Sequence, residues 1–265
     1  MQFLLPDNIL ASDHVFVSEI CILVKKITIS IFVASLSLLL SSYRVAPAGK
    51  PGGYFIVSSI TTDPSTEHSS ASLLYNVLGL EAKGLSKKAF EYAYKGYQKL
   101  LKKKIITRAD YLTICDFSQS SRRKRLYVID LSNNEIVINT YVAHGKNSGI
   151  EYATKFSNRP ESLQSSLGFY VTRQTYTGEH GLSLRVQGLE PGFNDKAYER
   201  AIVIHGANYI GDGPGHGALM GRSFGCPAVP KEESATLINT IKNGTCLFIY
   251  HPGKNYLYRS RILNG

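Results

Sequence analysis

Apolar and polar residues follow a period of two through most of the chain beyond Arg108. Runs of this kind, rich in β-branched and aromatic residues and bounded by turn formers, are typical of β-strands. Asn133-Asn134 stands between two of the runs and indicates a hairpin, because asparagine tolerates positive φ. The pattern predicts seven strands, at residues 111–117, 126–131, 135–143, 167–174, 182–187, 201–204 and 246–250.

Three segments instead repeat their apolar residues every three or four positions, which predicts helices at residues 71–80, 86–103 and 232–242. Ser86 is placed to cap the second of these helices, and the aromatic stripe of that helix is interpreted as core contact. The sequence therefore predicts a mainly β fold with flanking helices. We expect a helical segment at residues 71–104 that packs on a β domain at residues 105–265.

The N-terminal part of the chain has the pattern of an export signal. Lys25-Lys26 precede an uncharged apolar and Ser/Thr stretch, and Ala46-Pro47-Ala48 is a loose cleavage site. We interpret residues 1–48 as a signal peptide or N-terminal membrane anchor, followed by a Gly-, Pro-, Ser- and Thr-rich linker at residues 49–70. Residues 1–24 carry three acidic side chains, which is unusual for such a leader, so we expect translation to start near residue 23 or 24. Either form of the leader predicts a protein exported to the periplasm or cell envelope.

The length and net charge of the chain indicate the size of its core and the kind of surroundings that it favours. The 265 residues, 43% of them hydrophobic, are sufficient for one sizeable core. A formal net charge of +10 favours anionic surroundings such as nucleic acid, a membrane surface or a wall polymer. The densest basic runs, residues 102–104 and 122–125, are interpreted as solvated surface. Because no nucleic-acid-binding motif accompanies them, no nucleic-acid partner is expected.

Residues 201–226 contain a histidine and a cysteine that could form a nucleophilic site. The apolar run at residues 201–204 places His205 at the end of a strand, with Gly206 as a turn residue, and a glycine-rich segment then leads to Cys226. A neighbouring imidazole can accept the proton of a thiol and so activate it for acyl transfer. Of the other cysteines beyond the leader, Cys115 and Cys246 could form a disulfide, but their spacing does not decide this.

His205-Gly206, the glycine-rich spacer and Ser223-Phe224-Gly225-Cys226 together resemble the signature of the YkuD-like L,D-transpeptidases, and the stretch 221–228 resembles the murein L,D-transpeptidase catalytic domain branch. The chain differs from the common pattern in having Phe224 before the Gly-Cys pair and Pro227-Ala228 after it. The resemblance covers about residues 71–252. It implies the compact β-sandwich or barrel of these enzymes, peptidoglycan stem peptides as substrate, and neither a metal nor an organic cofactor.

Candidate catalytic and substrate-binding residues are predicted from residues 201–226 and from the family resemblance. Cys226 is the candidate nucleophile and His205 the candidate base. Gly225 would admit the substrate carbonyl, and the N–H groups of residues 225 and 226 would form an oxyanion hole. The candidate substrate-binding residues are His144, Gly206, Arg222 and Ser223, with Arg222 as a carboxylate clamp and Ser223 either binding a carbonyl or capping its turn. His216 is a candidate lid residue.

The resemblance implies attack by a thiolate on the carbonyl before a terminal D-amino acid, giving a thioester that an amine or water resolves. A stem amine would give a 3-3 cross-link, and water would make the protein an L,D-carboxypeptidase. The alternatives are a cysteine peptidase acting on wall peptides, a metal site that includes His144, His205, His216 and Cys226, and a wall-binding module whose thiol is idle. The oligomeric state stays open.

Overall fold

The computed structural model describes residues 64–212, 220 and 222–265. All of its elements belong to one unit of the chain, Thr61–Gly265. The helices are α1 (Pro64–Val77), α2 (Lys87–Lys102), α3 (Lys231–Ile241), α4 (Lys254–Arg259) and α5 (Arg261–Asn264). The strands are β1 (Tyr111–Asp116), β2 (Leu126–Asp130), β3 (Glu135–Thr140), β4 (Gly168–Gly178), β5 (Gly181–Gly188), β6 (Val203–Ala207), β7 (Ala228–Pro230) and β8 (Cys246–Tyr250).

All eight strands form one sheet in the order β3-β2-β1-β8-β4-β5-β6-β7. The pairs β1–β8 and β6–β7 are parallel, and the other neighbours are antiparallel. The sheet curls into a nearly closed, barrel-like form. The predicted fold class, mainly β with flanking helices, is confirmed.

The core lies between α2 and the centre of the sheet. Ser86 caps α2 as predicted, its hydroxyl accepting a hydrogen bond from the Ala89 N–H at 3.4 Å. The apolar stripe of α2 packs against β1 and β8 and is buried, as expected of core contacts. Its buried members are Ala89, Phe90, Ala93, Gly96, Tyr97 and Leu100.

The first helix begins earlier than its apolar pattern predicts. Residues 64–70, which were expected to belong to the linker, are helical and form the start of α1. Proline is favoured at the first position of a helix, because its missing N–H needs no partner there and its φ is already helical. The expected leader and the rest of the linker lie outside the described residues. Within the described part of the chain, no helix is both long and apolar enough to span a membrane.

The strand that carries His205 also differs from its prediction. It runs from Val203 to Ala207, so His205 lies at its middle and not at its end. The reason is parallel pairing with β7, which matches His205, Gly206 and Ala207 to residues 228–230. Three residues that end in proline carry too little pattern to be recognised as a strand, and β7 was not predicted.

One of the two basic runs expected to be solvated surface is partly buried. Arg125 is completely enclosed, and its guanidinium donates to Gln119 O at 2.8 Å and twice to Val142 O, at 2.9 and 3.2 Å. The guanidinium also lies 4.7 Å from the centre of the Phe117 ring. Arg125 therefore joins the start of β2 to the segment that follows β3.

Candidate active site

The site is built on the sheet edge formed by β5, β6 and β7. β6 lies between the other two strands, with His205 opposite Ser183 on β5 and Ala228 on β7. A Cβ at Gly206 would lie 2.5 Å from the Ser234 hydroxyl, so glycine is what allows α3 to approach the strand closely. The close approach buries this edge and holds the His205 backbone on a rigid support.

The His205 ring has a defined orientation. Its Nδ1 lies 3.1 Å from the carbonyl oxygen of Gly206. Because a carbonyl can only accept, Nδ1 carries the proton and the Nε2 lone pair is left to act as a base. The ring is 4% exposed, and burial lowers its pKa, with a smaller contribution from His180. The ring of His180 stacks on it, with ring centroids 4.3 Å apart.

Cys226 lies on the same edge as a free, partly exposed thiol. Its sulfur accepts a hydrogen bond from the Val203 N–H at 3.5 Å and lies 3.8 Å from the Ala201 oxygen. Residues 205 and 228 are paired with an offset of 23, and the same offset relates Val203 to Cys226. Cys226 therefore lies beside Val203, which is two residues from His205 along β6.

The two groups are not hydrogen-bonded to one another in the described part of the chain. Burial raises the pKa of the Cys226 thiol, although the Val203 N–H and Arg200 act in the opposite direction. With the thiol pKa raised and the imidazole pKa lowered, both groups are uncharged near neutral pH. The arrangement fits a base that removes the proton during attack better than a preformed thiolate.

The turn before Cys226 closes on itself. The Ser223 hydroxyl accepts from the Gly225 N–H at 3.1 Å and lies 2.5 Å from the Cys226 carbonyl oxygen. Ser223 thus caps the turn, which is one of its two expected roles. Gly225 has a φ of +121°, where a side chain would be strained. Of the two N–H groups predicted to form an oxyanion hole, that of Gly225 donates to Ser223 in this structure.

His144 is buried rather than open to a cleft. The strand expected to end at Ala143 stops at Thr140, and residues 143 and 145 then bridge to Ala228 and Ser223. The His144 ring accepts from Arg125 at 2.8 Å through Nδ1, and its Nε2 lies 3.3 Å from the Gly149 oxygen. Burial and the nearby Arg125 charge lower its pKa to about 4. Both ring nitrogens of His144 thus have a hydrogen-bonding partner within the protein. These contacts hold the segment that bridges to residues 223 and 228, on either side of Cys226.

Arg222, the expected carboxylate clamp, is exposed. Its Nη1 donates to Gly149 O at 3.1 Å and lies 3.3 Å from Lys146 O. These bonds fix the guanidinium beside the loop that follows His144. Gly206, expected on the substrate side, is buried in β6, where its carbonyl orients the His205 ring.

Arg200 was not recognised in the sequence as part of the site. Its guanidinium donates to Ser157 O at 2.8 Å, Ser166 Oγ at 2.5 Å and Gln164 O at 2.7 Å. A Cβ at Gly225 would lie 3.3 Å from its Nη2, so this cation lies against the residue that precedes Cys226, and its charge acts on the pKa of the Cys226 thiol. A single arginine outside any motif gives no sequence signal, and only the fold brings it to Cys226.

Other candidates fall elsewhere. His216 lies outside the described residues. Cys115 and Cys246 are buried free thiols on β1 and β8, so the disulfide left open by their spacing is not formed. Among the residues that the structure describes, no three or more His, Cys, Asp or Glu side chains are grouped to hold a metal ion.

A comparison with families of known proteins identifies the class of this mainly β domain. The family model for the L,D-transpeptidase catalytic domain matches residues 81–250, and the chain belongs to this family. The match spans more than half of the chain and covers α2, every strand and α3.

Solved structures similar to this chain are distant from it. They include an L,D-transpeptidase from Mycobacterium smegmatis, with 12% identity over 54% of this chain and 59% of that one and a TM-score of 0.34. An L,D-transpeptidase from Mycobacterium tuberculosis has 12% identity over 54% and 58%, with a TM-score of 0.32. A Bdellovibrio bacteriovorus protein has 17% identity over 55% and 50%, with a TM-score of 0.34. The chain covers less than two thirds of each. No curated protein matches it.

Proposed function

We propose that this protein is a cysteine acyltransferase acting on peptidoglycan stem peptides, with Cys226 as nucleophile and His205 as general base and acid. Membership of the L,D-transpeptidase catalytic domain family supports the substrate class. The observation that supports the assignment of residues is the edge of β6, where Cys226 Sγ lies on the Val203 N–H, two residues from His205, and Gly206 O leaves Nε2 of His205 as the acceptor.

The reaction has two halves. His205 Nε2 accepts the thiol proton as Cys226 Sγ attacks the carbonyl carbon before a terminal D-amino acid. The C–N bond then breaks, His205 returns the proton to the departing amine, and a thioester remains on the enzyme. An acceptor amine or water then attacks the thioester carbonyl and gives a proton to His205, the C–S bond breaks, and His205 passes the proton to the departing thiolate. A stem amine as acceptor gives a 3-3 cross-link, and water gives L,D-carboxypeptidase activity.

Substrate contacts are proposed for the exposed side of the site. Arg222 is the candidate clamp for a stem carboxylate, because a guanidinium makes paired hydrogen bonds to carboxylates. The Cys226 N–H is the candidate donor to the oxyanion, since the Gly225 N–H is bonded to Ser223. A protein that acts on the cell wall must reach it, so we also propose export to the periplasm or cell envelope, either with a cleaved leader or with an N-terminal anchor.

The direct test is muropeptide analysis of purified peptidoglycan fragments after incubation with the protein. We expect tetrapeptides to lose their terminal D-amino acid and to appear either as 3-3 dimers or as tripeptides. Cys226→Ala should abolish both products. In the wild-type protein, incubation with a carbapenem should add the mass of the drug to Cys226. A wild-type protein that gives neither product nor adduct would instead be a wall-binding module.

A further inference from the structure

A second surface next to the Ser223 turn has the chemistry of an anion-binding site. A cavity of about 700 Å³ opens beside the loop that follows His144. Four basic side chains line it, and Glu151 is its single acidic one. The basic residues are Arg122, Lys146, Lys155 and Arg222.

The cavity wall is joined to the chain segment that leads to Cys226. The Lys146 N–H donates to Ser223 O at 2.7 Å, and the Lys146 ammonium lies 4.4 Å from the centre of the Phe224 ring. Arg222 donates to Gly149 O from the other side. A ligand held in this cavity would therefore lie against Arg222, four residues before the proposed nucleophile, and against Lys146, whose N–H is bonded to Ser223.

The positive charge of the cavity is only partly balanced from within. Arg122 lies 3.5 Å from Glu151, whose other oxygen accepts a hydrogen bond from Ser120 Oγ at 2.5 Å. Within the described ranges, Lys146, Lys155 and Arg222 form no ion pair with a carboxylate. Three cations that converge on one cavity repel each other and favour a ligand with more than one negative charge.

Apolar side chains stand beside these charges. Tyr152 and Ile150, which line the same cavity, are 51% and 65% exposed. A simple ion would leave these surfaces in water, whereas the aliphatic part of a peptide would cover them. The cavity thus combines basic side chains, which attract negatively charged groups, with exposed apolar side chains that aliphatic groups can cover.

We propose that this cavity is a carboxylate subsite that selects acidic stem peptides with two or more free carboxylates. The inference rests on the proposed function, because it names the part of the stem that is held while Cys226 attacks another. An amidated stem has the same shape with fewer negative charges, and it would lose the attraction of Lys146 and Lys155 without gaining a clash.

Binding to the Cys226→Ala protein tests this without turnover. Two synthetic tetrapeptide stems that differ only in whether their side-chain carboxylates are free or amidated would be titrated calorimetrically. We expect the free acid to bind about tenfold more tightly at low salt, the size of two or three exposed charge contacts. The preference should shrink as ionic strength rises.

The double variant Lys146→Gln/Lys155→Gln, made on the same background, should remove most of the preference by weakening the free acid far more than the amidated stem. Lys102→Gln, an exposed substitution on α2 away from the cavity, is the matched control and should keep the full preference. Equal affinity for the two stems, no binding of either, or a preference that survives the double variant would overturn the inference. Failure of the proposed function would show differently, as tight binding of the acidic stem by a wild-type protein that forms no thioester and no product.

Discussion

The protonation states of Cys226 and His205 follow from where their side chains lie. Burial raises the thiol pKa and lowers the imidazole pKa, so the proton stays on sulfur near neutral pH. Catalysis by this pair would need the substrate to bring the sulfur and Nε2 into line before the proton moves.

The base form of His205 also persists to a lower pH than that of an ordinary histidine. The acidic limb of the pH profile of kcat/KM should therefore lie below the usual histidine range.

Alkylation by iodoacetamide measures the thiol directly. Because only the thiolate reacts, the rate at Cys226 should rise with a midpoint above that of glutathione measured in the same buffers. Peptide-resolved mass spectrometry isolates the signal, since Cys115 and Cys246 are fully buried and should stay unmodified in the folded protein. A midpoint below that of glutathione would mean a preformed thiolate–imidazolium pair and contradict the neutral pair.

Arg200 acts on Cys226 through position and charge. Its guanidinium fork fixes residues 157–166 against the Gly225 turn, and its charge lowers the thiol pKa. We expect Arg200→Gln to raise the alkylation midpoint and to lower kcat/KM by about tenfold, the size expected for losing hydrogen bonds from a charged donor. Arg200→Lys should restore the midpoint more than it restores kcat/KM, because lysine keeps the charge and lacks the fork.

Arg173→Gln is the matched control for Arg200, since Arg173 is an exposed side chain on β4. It should change neither quantity. If Arg200→Gln left both the midpoint and kcat/KM at wild-type values, Arg200 would be a packing residue with no influence on the thiol.

At the scale of elements, the segment after β3 supports the site. Ala143 and Gly145 bridge to residues 228 and 223 on either side of Cys226, and His144 between them bonds to Arg125. The buried side chains of Arg125 and His144 thus hold the segment that pairs with the turn before the proposed nucleophile. A disturbance of Arg125 should be felt both in stability and at Cys226.

Arg125→Met tests this support. The change leaves Gln119 O, Val142 O and His144 Nδ1 without their buried donor, so we expect a loss on the order of 3 kcal/mol in the free energy of unfolding. Urea denaturation would measure it. Arg123→Gln, an exposed neighbour in the same basic run, should stay within about 0.5 kcal/mol of wild type. Equal stability of the two variants would show that the Arg125 hydrogen bonds contribute little.

Some elements could be predicted from local pattern and others could not. β8 matches its predicted bounds because it is an uninterrupted apolar run, and α2 differs by one residue at each end because its apolar residues keep one helical period throughout. β7 and the extension of β6 through Gly206 depend on pairing between residues 23 apart, which no local period records. The same limit explains His144, whose burial is decided by Arg125, and Arg200, which reaches Cys226 through the fold alone.

At the scale of the whole molecule, the order of strands links distant parts of the chain. β8 pairs with β1 in parallel and with β4 in antiparallel fashion, so the last strand lies at the centre of the sheet. Neither neighbour follows from strand patterns, since parallel pairs join through long connections. The fold class was predictable because strand and helix periods are local, and the architecture was supplied by the resemblance.

The packing of α2 on this central region is tested by one glycine. A Cβ at Gly96 would lie 2.0 Å from Cζ of Phe169, whose ring is buried and stacked on Phe248 with centroids 4.2 Å apart. In a helix that faced solvent, Gly→Ala would stabilise by about 1 kcal/mol. Here overpacking costs about 1–3 kcal/mol, so Gly96→Ala should lower the free energy of unfolding. Lys88→Ala, at an exposed position of α2, controls for helix propensity and should change it little. Stabilisation by Gly96→Ala would mean that the helix does not press on Phe169, and that residues 87–102 are an appendage to the domain and not part of its core.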